Sequence, residues 1–349
     1  MAASISALDK PAEDATPIFE LFRGVYATQL LTAAVAHFQL FEKLMSGAKP
    51  EADLQGELGL ARRPFRVLTT ALAAMKLLDC REGMWSLTEL SRQHLLASAP
   101  FAVAGYVGLA ADAPEVKEMV ERLRTNKPAG AGEEEGAAFI FGEGIESAME
   151  RDASARWLTL ALAGRAKNVA PYLASAIDLS NAKHLVDVGG GTGIYAIACL
   201  QKNGNLKATV FDSPEVLKVA KEMAQAYGVV DRLTLVAGDM FSDTLPQGDV
   251  YLLSNILHDW DEPECLSLCQ KIAGVLPVGG RLLIHDVFLQ DDLQGPLPIS
   301  LYSAALFTLT QGRAYSQKEY RDWLQTVGLT SEPAVPTHIH CGVIVGKKA

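Results

Sequence analysis

The nine residues Leu185-Val-Asp-Val-Gly-Gly-Gly-Thr-Gly193 constrain this chain more than any other stretch. A short apolar run around Asp187 reads as a buried parallel strand. The glycines that follow make a tight turn, and the pattern Ile194, Ala196, Ile197, Ala198 and Leu200 predicts a helix. Strand, glycine loop and helix in that order form a cradle for an adenosyl ligand. Gly189, Gly191 and Gly193 lack a Cβ and let a ligand approach the backbone, and the helix N-terminus offers unpaired N–H groups. A dinucleotide fingerprint is excluded, because its last glycine would fall on Ile194. A phosphate-binding P-loop is excluded too, because no Gly-Lys-Ser/Thr follows.

The strands after the loop carry the same signal. Ala208-Thr-Val-Phe211 reads as a second strand with Asp212 at its carboxyl end. An acid about 20 residues after the glycines can accept hydrogen bonds from both ribose hydroxyls. Leu233-Thr-Leu-Val-Ala-Gly-Asp239 reads as a third strand ending in an acid that can receive an adenine amine. Met240 and Phe241 follow it and can sandwich the ring. Each aspartate alone would pass for a helix cap or a loop residue. Three acids ending three successive strands point to one ligand, since open α/β sheets bind at the carboxyl ends of their strands.

A chain of 349 residues suggests two domains. Apolar stretches are broken by charges or glycines well before 18 residues, so no transmembrane helix is expected. Residues 1–17 lack a basic segment followed by an apolar core and read as a flexible tail without a secretory signal. The five cysteines form no C-x-x-C pair, which suggests a reducing, cytoplasmic setting. The formal net charge of −10 argues against nucleic acid as a partner.

The first half is predicted to be helical. Ile18 to Met45 is apolar around most of its circumference and would need cover from several sides, which suggests a subunit interface and a homodimer. A short helix over Ala52–Leu58, a turn at Gly59 and a helix from Arg62 to Leu78 follow. Cys80 to Ser86 reads as a hairpin with Gly83 at its tip, and Thr88 as a helix cap. Helix–turn–helix plus hairpin is a winged-helix pattern. It opens a rival function, a ligand-sensing DNA-binding regulator with Arg62, Arg63 and Arg66 on its recognition helix. The acidic charge and the apolar helices favour a dimerisation module instead. Lys127 to Gly136 is a loop, and Glu146–Arg151 and Ala155–Ala176 read as helices. From about residue 180 the strands 184–188, 207–211, 233–237, 249–254 and 281–287 alternate with helices, a parallel α/β pattern, with weaker strands over 329–333 and 341–346.

The chemistry is expected at Ser254-Asn-Ile-Leu-His258-Asp-Trp260, just past the carboxyl end of the fourth strand. Histidine takes a proton near neutral pH. A phenol, with a pKa near 10, benefits from a base at its oxygen. Asp286 ends the fifth strand and can orient His258 through the other ring nitrogen, whereas His285 points to the opposite face. His338 and His340 share one face of a late segment, but no third metal ligand is evident, and no metal site is expected. Phe139, Phe141, Met149, Trp157, Trp260 and Phe307 are the candidate acceptor-pocket residues.

With these residues in view, the chain resembles the small-molecule O-methyltransferases of the plant caffeate and acetylserotonin type and their bacterial natural-product relatives. The resemblance rests on D-x-G-x-G-x-G at 187–193, Phe211-Asp-Ser-Pro214, Gly238-Asp-Met-Phe241, Leu257-His-Asp-Trp-Asp261 and Pro277-Val-Gly-Gly280. It implies an α/β fold, with a Rossmann-like methyltransferase domain over 166–349 and an N-terminal helical winged-helix dimerisation domain over 18–165. It implies S-adenosylmethionine as cofactor, S-adenosylhomocysteine as product, and transfer to the hydroxyl of a small, aromatic acceptor. The cofactor residues it implies are Asp187, Gly189, Gly191, Gly193, Asp212, Ser213, Gly238, Asp239, Met240, Phe241 and Ser254. His258 is then the base and Asp286 an acid beside it. Two departures stand out. Ala314 occupies a place where many relatives carry a second flanking glutamate, and Ser254 one where many carry Lys or Arg. A divergent member that methylates carbon or nitrogen, or transfers no methyl, is the alternative within enzymes.

Overall fold

Leu185 to Val188 lies fully buried in β1 (His184–Val188), as a strand covered on both faces requires. A computed structural model describes residues 6–127 and 152–349. Phe139, Phe141, Met149 and the helix expected over 146–151 lie outside the described residues. Strands β2 (Lys207–Asp212), β3 (Leu233–Ala237), β4 (Val250–Ser254) and β5 (Arg281–Leu289) follow. Three late strands are β6 (Leu329–Ser331), β7 (Val335–Pro336) and β8 (Cys341–Lys348). The order across the sheet is β6-β8-β5-β4-β1-β2-β3, with β7 beside β8. β1 to β5 pair in parallel and β8 runs antiparallel to β5, so the sheet is mixed. The direction of winding switches at β1, between β2 and β4. Ligands bind outside the carboxyl ends of such strands.

Five helices accompany these strands: α1 (Asp152–Ala176), α2 (Ile194–Lys202), α3 (Pro214–Ala226), α4 (Glu262–Val275) and α5 (Gln317–Thr326). α1 packs on α2 and α3. The run that predicted α2 is buried continuously from Ile194 to Leu200.

The chain divides into two compact units. One holds residues 1–17, 142–288 and 317–349, the other 18–141 and 289–316. The sequence reading had kept 166–349 together. The transfer of 289–316 has a simple cause: helix Leu297–Leu309 packs against helix Arg62–Ala74, burying Ala304 and Phe307 in the core of the second unit.

The long helix expected over 18–45 is broken into Thr16–Arg23, Val25–Thr32, a π-turn over Ala33–His37 and Leu40–Lys43. Gly24 separates the first two pieces, and Gln39, at φ 48°, turns the chain before the last. The hairpin is present: Leu78–Arg81 pairs with Met84–Leu87. Glu82 and Gly83 both have positive φ, the geometry of a two-residue type I′ turn. Thr88 caps the following helix by accepting from the Ser91 amide. Arg63 is 4% exposed and donates to Asn126 and to the carbonyls of Thr310 and Gly312, while Arg66 pairs with Glu51 at 2.8 Å. Two of the three arginines of the would-be recognition helix are thus engaged inside their own unit, which removes the support for a DNA-reading role.

The described part of the N-terminal stretch, read from sequence as flexible, makes specific contacts. The Ala7 amide donates to Gln201, Lys10 lies over the Tyr172 ring, and Asp14 pairs with His338, which stacks on Tyr172. Among the described residues no helix is long and apolar enough to cross a membrane.

Candidate active site

The glycine loop between β1 and α2 is held by hydrogen bonds from its neighbours. The Gly189 amide donates to the Phe211 carbonyl at 2.8 Å, and the Gly191 amide to Asp212 Oδ2 at 2.8 Å. Gly193, at φ 71°, caps α2, and a Cβ there would come within 2.9 Å of Val210 Cγ2. Left-handed backbone and close packing together demand glycine at this position.

Asp187 is fully buried, and its carboxyl is approached by the Ala196 backbone amide. Burial, followed by the nearby charge of Asp212, pushes its pKa up to about 7. A fully buried carboxyl with little compensation beside a glycine loop fits a ligand that brings a cationic donor. Asp212 sits at the end of β2, its Oδ1 accepting from the Ser213 amide at 2.7 Å. Burial raises its pKa, against the opposing effect of the Gly191 and Ser213 amides. Ser213 takes the N-cap position of α3.

Gly238 follows β3, and a Cβ there would meet the Phe211 ring at 2.5 Å. Asp239 turns the next loop, with Oδ1 accepting from the Phe241 amide at 2.6 Å. The backbone of Met240 and Phe241 is held from α4: Lys271 Nζ donates to both carbonyls at 2.9 Å. The Phe241 ring packs edge-on against Trp260, centroids 4.7 Å apart.

His258 lies in a 3-10 turn (Leu257–Asp259) just beyond β4 and is 3% exposed. Its Nδ1 is 2.5 Å from Oδ1 of Asp286, itself 1% exposed on β5. The Val287 amide also donates to Oδ1 at 2.8 Å, and the Tyr320 hydroxyl to Oδ2 at 3.1 Å. On the opposite side of the ring, Nε2 is 3.6 Å from Asp259 Oδ1. Burial works against a charged imidazole here, but the charges of Asp286 and Asp259 and the Asp286 hydrogen bond outweigh it, so the pKa of His258 is raised. Burial pushes Asp259 up to about 6.

Ser254 has a different neighbourhood. Its hydroxyl is 2.7 Å from His285 Nδ1, and His285 Nε2 is 3.1 Å from Thr337. Burial, assisted by the charge of Arg165, pushes His285 down to about 3, so it is neutral. Asn255, at φ 57°, accepts from Arg165 at 2.8 Å. His285 is therefore part of a buried polar network on the opposite strand face, as alternation predicts.

Three of the aromatic candidates lie among the described residues. Trp260 is beside Phe241. Trp157 is 68% exposed on α1. Phe307 is fully buried in the core of the other unit, with the Arg63 guanidinium 4.7 Å from its ring. Phe307 packs rather than lines a pocket. Sequence reasoning missed Asp259, Lys271, Arg165 and Tyr320. Asp259 was visible as the residue next to the histidine; the others carry no local signal.

A glycine loop at the switch point of the sheet, with acids on three neighbouring strands, a histidine just past the fourth and its aspartate partner on the fifth, defines a Rossmann-like methyltransferase. Comparison with known proteins narrows the class. Residues 131–330 match the model of the O-methyltransferase domain. The chain is 34% identical over 340 residues to 3-hydroxy-5-methyl-1-naphthoate 3-O-methyltransferase of Streptomyces sahachiroi, covering 96% of this chain and 95% of that one. It is 30% identical over 318 residues to acetylserotonin O-methyltransferase of Bos taurus, covering 88% and 90%. A crystal structure of an O-methyltransferase family 2 protein from Planctomyces limnophilus, in complex with apigenin, superposes with a TM-score of 0.89 at 45% identity, covering 99% of this chain and 100% of that one. The chain belongs to the O-methyltransferase family, and its methyl donor is S-adenosylmethionine.

Proposed function

We propose that the chain methylates a hydroxyl oxygen of a small aromatic acceptor, with His258 as general base and Asp286 as the residue that orients it. The observation that carries this reading is the 2.5 Å contact between His258 Nδ1 and Asp286. His258 stands two residues after Ile256, whose side chain packs at Gly189 of the glycine loop. The acceptor class is supported by the relatives, one named for a hydroxynaphthoate and one crystallised with apigenin.

S-adenosylmethionine, when bound, supplies an electrophilic methyl carbon. The residues that would hold it are Asp187, Gly189, Gly191, Gly193, Asp212, Ser213, Gly238, Asp239, Met240, Phe241 and Ser254. Asp187 is the strongest of these, because its fully buried carboxyl is little compensated within the protein. Ser254 is the weakest, because its hydroxyl already meets His285. With Asp286 accepting from Nδ1–H, the lone pair of His258 is at Nε2, where it can take the acceptor's proton. Fixing the acceptor oxygen in line contributes several kcal/mol more.

The second unit is read as a dimerisation module with a winged-helix pattern. Ile18, Leu21, Phe22 and Val25 are 51–82% exposed along the first two helices, an apolar face that a second copy of the chain would cover. Phe22→Glu should then give a monomer by light scattering.

The test of function is transfer of labelled methyl to a panel of phenols, hydroxynaphthoates and hydroxyflavones. Wild type should methylate at least one oxygen, and His258→Ala should lose on the order of a hundredfold in kcat. Full activity in the variant would remove the base from the mechanism, and a product labelled on carbon or nitrogen would overturn the reaction.

A further inference from the structure

We propose that Tyr320 is a positioning residue for the methyl-transfer reaction, its hydroxyl locking the Asp286 carboxylate in the orientation that holds His258. The inference rests on His258 being the base, as read above. Asp286 is 1% exposed, so solvent cannot satisfy its second oxygen. His258 and the Val287 amide both meet Oδ1, and Tyr320 meets Oδ2 at 3.1 Å. A carboxylate gripped at both oxygens cannot rotate, whereas one held at Oδ1 alone can.

The phenol reaches this point because α5 packs over the face of β5 that bears Asp286. Phe288, two residues further and on the same face, meets the Tyr320 ring edge-on at 5.3 Å. Trp323 meets it from the helix side at 5.2 Å. The ring is fully buried by these contacts, which a phenylalanine would keep. The hydroxyl adds a donor to the carboxylate.

The charged and titratable groups around the pair are Asp286 from β5, Asp259 from the histidine's own turn, Arg165 from α1 and Tyr320 from α5. Tyr320 donates to an anion and disperses its charge. Without that hydrogen bond Asp286 holds the imidazolium more tightly, so His258 gives up its proton at higher pH.

The experiment is Tyr320→Phe beside His258→Ala, each assayed for kcat, for the pH profile of kcat/KM for the acceptor, for equilibrium binding of S-adenosylmethionine and for thermal unfolding. Tyr320→Phe should lower kcat about tenfold, the size of one hydrogen bond to a charged group. It should also move the acid limb to higher pH and leave cofactor binding and the folded state within twofold of wild type. Unchanged kcat and an unmoved limb would overturn the inference. So would a lower kcat with an unmoved limb and a lower melting temperature, which marks a packing role. If His258→Ala is fully active, the base reading fails first; if it is inactive while Tyr320→Phe behaves as wild type, only the role of Tyr320 falls.

Discussion

His258 Nδ1 and Asp286 Oδ1 stand 2.5 Å apart, joining the turn after one strand to the interior of the next. The contact fixes the sign of the pH dependence. A base acts when neutral, and the raised pKa of His258 means the imidazole remains protonated somewhat above its ordinary value of 6.5. The acid limb of kcat/KM should therefore lie above pH 6.5. Asp286→Asn removes the largest opposing charge and leaves burial and Arg165 to disfavour the imidazolium. The limb should then move to lower pH while kcat falls about a hundredfold, because the amide no longer selects the tautomer with Nε2 free. A limb that moves upward in this variant would contradict the assignment.

Asp259 acts on the other side of the ring. Its carboxylate is 3.6 Å from Nε2 and its pKa is pushed up to about 6, so it is ionised at neutral pH and favours the imidazolium. Asp259→Asn should lower the acid limb as Asp286→Asn does, with a smaller loss in kcat, since Nδ1 keeps its partner. pH–rate profiles of the two single variants and the double variant measure this. An acid limb unmoved in Asp259→Asn would mean that this carboxylate does not act on the imidazole.

Much of the α/β fold of the methyltransferase half was legible in sequence, and the reason is local. Asp187, Asp212 and Asp239 each close a short apolar run, so strand, turn and acid are encoded within a few residues. His258 stands just past a strand end in the same way, whereas Asp286 lies inside β5 and not at its end. What stayed hidden depends on contacts between distant segments. Tyr320 meets Asp286 across 34 residues, and Lys271 meets Met240 across 31. Helix Leu297–Leu309 is apolar on every side, so its pattern cannot say which unit it joins. Aromatic type failed as a guide to the acceptor pocket for a related reason: Trp157 faces outward and Phe307 inward, and composition does not tell direction.

Lys271 should matter to cofactor affinity and little to chemistry. Its ammonium holds the carbonyls of Met240 and Phe241, and so the loop whose side chains are assigned to the adenine ring. Lys271→Met keeps the aliphatic stem and removes both hydrogen bonds. The dissociation constant of S-adenosylmethionine by titration calorimetry should rise about tenfold, with kcat at saturation within twofold of wild type. A fall in kcat at unchanged affinity would place Lys271 in a different role.

Asp187 links cofactor binding to protons and to stability. Its pKa of about 7 lies above the unfolded value of 3.8, so the folded protein prefers it neutral. The stability this provides is complete below pH 3.8 and is lost as pH rises through about 7. Asp187→Asn cannot ionise and escapes that loss. Without cofactor, the variant should melt several degrees higher than wild type at pH 8 and near wild type only below about pH 4. Binding should show the reverse. A cationic group of the cofactor at Asp187 favours the carboxylate, so binding to wild type at pH 6.5 should release a proton. Calorimetry in two buffers of different ionisation enthalpy reads that release directly. Asp187→Asn should release none and bind on the order of tenfold more weakly. A variant that is both less stable at pH 8 and unaltered in proton release would mean that this buried carboxyl is satisfied by the protein and takes no part in holding the ligand.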